Sequence, residues 1–200
     1  ESCNLTILEG DEVLYLDRVE TRRPLRLHLE PGTRVPLHCT ASGKLFLCQM
    51  RRDQVRRLLG PEPLASHTAK TITRYVDLFE DLERVLATQV GTHDCELFDD
   101  SVAIAVPITD AAGYIYAAVA VHAPSSRESI ESCMRHLPAL CKAAARIAAT
   151  MTPLPAEPHG MSGTTANRNR GAAKAGASIR TRAVGATKRP DASRARPRSG

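Results

Sequence analysis

The sequence predicts an α+β domain, an antiparallel sheet with helices packed on it, followed by a tail that has no core of its own. Three observations carry this. Strand-like segments come in adjacent groups, one near the N-terminus and one past the middle, instead of alternating singly with helices. Hydrophobic residues make up 42% of the 200 residues, but aromatics only 4%, with no Trp, which is enough for one core. From Pro153 onward Ala, Gly, Ser, Thr, Pro and Arg dominate, and large apolar residues thin out to Leu154, Met161, Ile179 and Val184. Such a stretch cannot bury enough area to offset ordering entropy of roughly 1–2 kcal/mol per residue. Residues 1–152 are therefore read as one domain and residues 153–200 as a disordered basic tail.

The elements follow in order. Asn4–Leu8 and Glu12–Arg18 read as a hairpin around Glu9-Gly10-Asp11, its second arm central because Val13, Leu14, Tyr15 and Leu16 are consecutive. Leu25, Leu27 and Leu29 alternate with Arg26, His28 and Glu30, predicting a strand with one wet face that ends at Pro31-Gly32. Helices are expected over Thr40–Met50, over Asp53–Leu59 with Gly60-Pro61 as a stop, and over Asp77–Val90. In the last, Asp77 and Glu80 have capping-box spacing, Leu78, Leu82, Val85 and Leu86 form one stripe, and Gly91 closes the helix. Ser101–Ile108 and Tyr114–His122 read as strands joined by a turn at Asp110-Ala111-Ala112-Gly113. Ser125 and Glu128 suggest the cap of a final helix, with Pro138 forcing a kink or break inside its apolar stripe.

Charge divides the same way. Residues 1–152 carry 17 Lys and Arg against 20 Asp and Glu, and the last 48 carry ten against two, so the net +5 belongs to the tail. No run of apolar residues is long enough for a transmembrane helix, and no membrane partner is expected. The chain begins with Glu1 and shows no signal-peptide h-region, which suggests a fragment or a processed piece. The six cysteines, Cys3, Cys39, Cys48, Cys95, Cys133 and Cys141, form no CxxC pair and read as free thiols in a reducing cytoplasm.

Chemistry concentrates at a few places. In Pro36-Leu37-His38-Cys39-Thr40-Ala41-Ser42-Gly43-Lys44 a strand end runs into a helix start, whose first N–H groups lack intrahelical partners. Thr40 and Ser42 add hydroxyls there, and Gly43 permits close approach to the backbone, a seat suited to a carboxylate. The alternative is an ordinary N-cap with a tightly packed Gly; P-loop spacing is absent. His93-Asp94-Cys95-Glu96 supports a Cys95/His93 nucleophile pair, a metal site, or plain pocket lining. His122 ends a strand of small residues, Ala117, Ala118 and Ala120, which leave room for a ligand or for a packed helix. His38 and His67 read as isolated, structural or exposed histidines. Arg194, Arg196 and Arg198 would attract nucleic acid weakly, with no aromatic interleaved for stacking; a solvated tail is the other reading.

Taken together these segments resemble the IclR family of transcriptional regulators. Residues 36–44 are similar to its PLHATASGKA-type signature, and Thr68-Ala69-Lys70-Thr71-Ile72-Thr73 to its T-x-x-T-I stretch. Ile104-Ala105-Val106-Pro107-Ile108 with Asp110 and Gly113 resembles its strand and turn, and Ala117 to Pro124 its A-l-s-v-x-x-P segment. The resemblance covers about residues 1–151. It implies a GAF-like (profilin-like) curved antiparallel sheet with helices around it, sensing a small organic acid or aromatic metabolite, and assembling as a dimer or tetramer. Operator DNA would be read only by a winged helix-turn-helix head that these 200 residues lack. The implied effector-binding residues are Thr40, Ala41, Ser42, Gly43, Asp94, Cys95, Ala103, Ala120 and His122, the last two standing where relatives often carry serines. No catalytic residue, cofactor or metal is implied. The competing readings are a hydrolase using Cys95 and His93, and a nucleic-acid-binding module working through the tail.

Overall fold

In the computed structural model, which describes residues 1–25 and 29–150, the first hairpin forms where alternation places it. β1 (Ser2–Glu9) and β2 (Glu12–Val19) pair antiparallel. Gly10 opens their two-residue connection at φ 64°, the left-handed value that the first position of a type II′ turn needs. The register shifts between Leu5, which faces Asp17, and Thr6, which faces Tyr15, so Leu16 is the extra residue of a bulge. Tyr15 and Arg18 thereby pair with Thr6 and Asn4, alternate residues on one face of β1.

The third strand departs from expectation. It is β3 (Arg34–Pro36), paired with Glu12–Leu14. Leu25 and Leu29 lie outside any strand, and residues 26–28 fall outside the described residues. The reason is competition for one edge: Tyr15 exchanges backbone hydrogen bonds with Gly32 and Thr33, so the chain after the turn occupies the free side of β2.

Three helices follow, α1 (Ala41–Cys48), α2 (Arg52–Leu59) and α3 (Tyr75–Thr88). α3 begins before Asp77 and has no capping box; the Glu62 carboxylate, from the preceding loop, accepts from the Tyr75 N–H instead. It ends at Gln89, itself left-handed at φ 56°, not at Gly91. β4 (Gly91–Asp94), β5 (Ser101–Thr109) and β6 (Ile115–Pro124) complete a six-stranded sheet in the order β3-β2-β1-β6-β5-β4, antiparallel throughout. The Asp110 carboxylate holds the β5–β6 turn by accepting from the N–H groups of Ala112 and Tyr114. The last helical region starts at α4 (Ile130–Cys133), capped reciprocally by Ser129 and Ser132 and not by Ser125 and Glu128. A 3-10 turn at Met134–His136 separates it from α5 (Leu137–Thr150). The expected break is there, with Pro138 in the first turn of α5, where a missing N–H costs no helical bond.

The two sheet faces differ in side-chain size. Ala103, Ala105, Ala118 and Ala120 share a core with Leu45 and Phe46 of α1 and Leu78 and Leu82 of α3. Val102, Ile104, Val106, Val119 and Val121 share the opposite core with Cys133, Leu140 and Ala144 of α4 and α5. Two glycines let the backbone close around α1. A Cβ on Gly43 would lie 2.1 Å from the Leu37 carbonyl oxygen, and one on Gly91 2.0 Å from that of Ala41. Lys44, 1% exposed, reaches from α1 to Asp81 at 2.8 Å and Glu96 at 2.6 Å. Burial pushes the Glu96 carboxyl above its ordinary range against the pull of Lys44. At Asp81 burial acts in the same sense, but Lys44 and Arg84 outweigh it and hold the group down. All six cysteines are free, and Cys141 is exposed. The tail expected over 153–200 lies outside the described residues.

Candidate functional site

The alanine-paved face turns polar at one end. Ladder register puts His122 opposite Ser2 and Ala103, and Ala120 opposite Asn4 and Ala105. Because β6 alternates, Ala120 and His122 face the same way. The bulge in β2 adds Tyr15 and Arg18 from the side. The Tyr15 hydroxyl lies 3.5 Å from His122 Nε2, and Arg18 Nη1 donates to Asn4 Oδ1 at 3.1 Å. The Arg18 side chain is only 3% exposed and also pairs with Glu20 at 3.3 Å. His93 of β4 joins the group, its ring centre 6.4 Å from that of His122. Its Nδ1 meets the Cys39 carbonyl at 3.1 Å and its Nε2 the Ser101 hydroxyl at 2.9 Å.

Burial sets the charge states. It pushes His122 down to about 3, with the charges of His93 and Arg18 acting in the same direction. It pushes His93 down to about 4, against the bond to Cys39, and the Tyr15 phenol up to about 12, against Arg18. At neutral pH both imidazoles are uncharged. Among the described residues Asn4 Nδ2 and His122 Nδ1 are buried without a hydrogen-bond partner. The Asn4 amide is oriented by the Arg18 bond to its oxygen, so its NH2 group is the unmet end. When the Tyr15 hydroxyl is the donor to Nε2, the ring hydrogen of His122 sits on Nδ1, and both unmet nitrogens are donors. Two unmet donors beside a guanidinium make a site shaped for an acceptor, since a buried donor left unpaired costs about 1–3 kcal/mol.

The residues singled out from sequence divide between this site and other places. Ala103, Ala120 and His122 are in it. Thr40 caps α1: its hydroxyl accepts from the Gly43 N–H at 3.3 Å and donates to the Pro36 carbonyl at 2.8 Å. Ala41, Ser42 and Gly43 are buried beside it. The close approach that Gly43 permits is made by Leu37, which is the packed-glycine alternative. The helix start abuts the site through the Cys39 carbonyl on His93. Asp94 and Cys95 are elsewhere. Asp94 is exposed and pairs with Lys70 at 2.9 Å. Cys95 turns the chain at φ 56° and joins the core on the opposite face. Cys95 and His93 therefore share no face, and the nucleophile pair is not formed: β4 ends at Asp94, so alternation stops one residue short of Cys95. His93 takes the pocket-lining alternative among those read for residues 93–96, whereas Tyr15, Arg18 and Asn4 are not among the residues singled out from sequence. His93 is inward by strand register, and Arg18 is inward only because of the bulge. His38 and His67, read as isolated, are neighbours, with ring centres 6.0 Å apart and planes tilted by 38°. No helix among the described residues is long and apolar enough to cross a membrane.

Comparison with known proteins gives the context. The model of the family described as bacterial transcriptional regulator IclR C-terminal matches residues 1–149. The probable transcriptional regulator SauR of Cupriavidus necator is 45% identical over 144 residues, covering 72% of this chain and 57% of that protein. The HTH-type transcriptional regulator KdgR of Escherichia coli is 30% identical over 151 residues, covering 76% and 57%. The crystal structure of the E. coli KdgR C-terminal domain superposes with a TM-score of 0.65 at 29% identity, over 75% of this chain and 87% of that one. The chain spans a little over half the length of these curated relatives. They are regulators and not enzymes. An antiparallel sheet with helices on both faces, matched along its length by the family model and by solved relatives, identifies the chain as a member of the IclR family carrying its GAF-like C-terminal domain.

Proposed function

We propose that this domain senses a small carboxylate, bound on the inner sheet face between the alanine paving and the start of α1. The carrying observation is the pair of buried side-chain nitrogens without a hydrogen-bond partner, Asn4 Nδ2 and His122 Nδ1, beside the Arg18 guanidinium. A carboxylate supplies two oxygens for them and shares the positive charge of Arg18. Ala103 and Ala120 pave the sheet beside these groups with the smallest side chains a strand can carry, and the segment Thr40 to Gly43 borders it. In the whole protein, differential binding to two arrangements of the domain would shift the geometry of a dimer or tetramer in the cytoplasm, and through it the contact of a DNA-reading head with its operator. Residues 1–152 act as the sensing unit in this scheme, with the basic tail outside it.

A thermal-shift screen of the 200-residue chain against glyoxylate, pyruvate, benzoate-type acids and dicarboxylates tests this. A ligand at ~100 times its Kd adds roughly 2.7 kcal/mol and raises Tm by several degrees. His122→Phe keeps an aromatic ring at the position but removes both nitrogens, and should weaken the responding acid at least tenfold. A response left unchanged in that variant overturns the site assignment. A cooperative melt that no acid shifts overturns the carboxylate reading.

A further inference from the structure

A second cluster, built from different side chains, adjoins the inner-face site at the Cys39 backbone. His38 and Cys39 form the connection from β3 to α1, and His67 lies in the loop between α2 and α3. One ring nitrogen from each histidine and the Cys39 sulfur all lie within 4.8 Å of one another. Cys39 is fully buried, His38 is 4% exposed, and His67 is open to solvent. The His38 ring has its orientation fixed. Its Nε2 lies 2.9 Å from the Ala65 carbonyl, which can only accept, so the ring hydrogen is on Nε2 and the lone pair on Nδ1. Metal-binding histidines are commonly held by such a bond from the non-ligating nitrogen to a backbone carbonyl. Two imidazoles and a thiol form a borderline-soft donor set, the kind that takes Zn2+ in preference to Mg2+ or Ca2+.

We propose that His38, Cys39 and His67 form a binding site for a zinc-class divalent cation, with water as the fourth ligand on the exposed His67 side. Tetrahedral coordination brings the donors to about 3.5 Å of one another, so binding draws the three side chains together from their separations of up to 4.8 Å, with His67 the exposed member of the set. Binding converts the Cys39 thiol to thiolate: the S–H proton leaves to solvent as the sulfur–metal bond forms. The ion ties the 60–74 loop to the residues immediately before the α1 cap. The site does not depend on the carboxylate reading, because it shares no side chain with the inner-face cluster.

The test is a Co2+ titration of the chelator-stripped, reduced 200-residue chain. One equivalent should produce a thiolate-to-cobalt charge-transfer band in the near ultraviolet and visible bands of tetrahedral intensity, both bleached by Zn2+. His67→Ala, at an exposed position, leaves the core intact and should weaken Co2+ at least tenfold. Cys39→Ser should abolish the charge-transfer band, and circular dichroism of that variant separates loss of a ligand from loss of fold. A chain that gives no charge-transfer band, or one whose band and affinity are unchanged in His67→Ala, overturns the proposal.

Discussion

His122 shows how one side chain links the site to stability. Its folded pKa is about 3, lowered by burial, whereas an unfolded histidine titrates near ~6.5. Between these values the unfolded chain holds the extra proton, so stability rises with pH. The contribution of His122 is complete above about pH 6.5 and is lost as pH falls toward 3, at up to ~1.4 kcal/mol per pH unit. Lowering pH from 7 to 5 should therefore remove roughly 2 kcal/mol through His122 alone, with the buried His93 adding a loss of the same sign, the total being read from urea midpoints. The His122→Asn variant should show a shallower pH dependence; one as steep as the parent's would mean that His122 is already protonated or solvated in the fold. His122 itself was legible in the sequence, as the polar end of a small-residue strand, and Ala120 with it. Arg18 was not. Simple alternation sends Arg18 to the face opposite Tyr15, and only the unpaired Leu16 of the bulge brings both inward. Asn4 and Tyr15 stood within predicted strands, but nothing local says which face of a strand is the wet one.

At the scale of elements, α1 is fixed by backbone contact. Gly43 sits against the Leu37 carbonyl and Gly91 against the Ala41 carbonyl, so the loop before α1 and the first residue of β4 clamp it from two directions. Lys44 adds an ionic tie from the same helix to Asp81 of α3 and to Glu96. Gly91→Ala forces a methyl group into a gap that backbone already fills. It should cost about 1–3 kcal/mol as overpacking, seen as a lower urea midpoint with an unchanged slope. No loss of stability would mean that β4 slides freely over α1. The existence and type of most elements could be read from periodicity, whereas their ends were set by partners distant in sequence. Glu62 caps α3 from another loop, Ser129 takes the cap expected at Ser125, and the segment at 32–36 wins the β2 edge from the leucine-alternating stretch before it. Gly91, expected to terminate a helix, instead serves a close packing that no sequence window contains.

For the whole molecule, two differently built cores flank one sheet, and the described side chains that build them lie between Cys3 and Ala148. A chain cut after Thr152 should therefore melt cooperatively within about 2 °C of the 200-residue protein, a difference below ~1 kcal/mol at this size. Differential scanning calorimetry decides it, and a drop of many degrees would mean that the tail packs on the domain. The fold class and the family could be read from sequence because both rest on patterns spread along residues 1–149. The full set of site residues could not, because it is assembled from β1, β2, β4 and β6 by register. That division of labour has an evolutionary consequence. Ala103, Ala105, Ala118 and Ala120 are the smallest side chains that a strand can carry while still presenting a Cβ, and the valines that anchor the opposite helices alternate with them. Exchanging one alanine for serine or valine adds a hydroxyl or two methyl groups on the face proposed to hold the ligand and leaves the load on the other face untouched. A lineage can thus change its chemical vocabulary one inward residue at a time, while the scaffold that transmits the message is inherited unchanged.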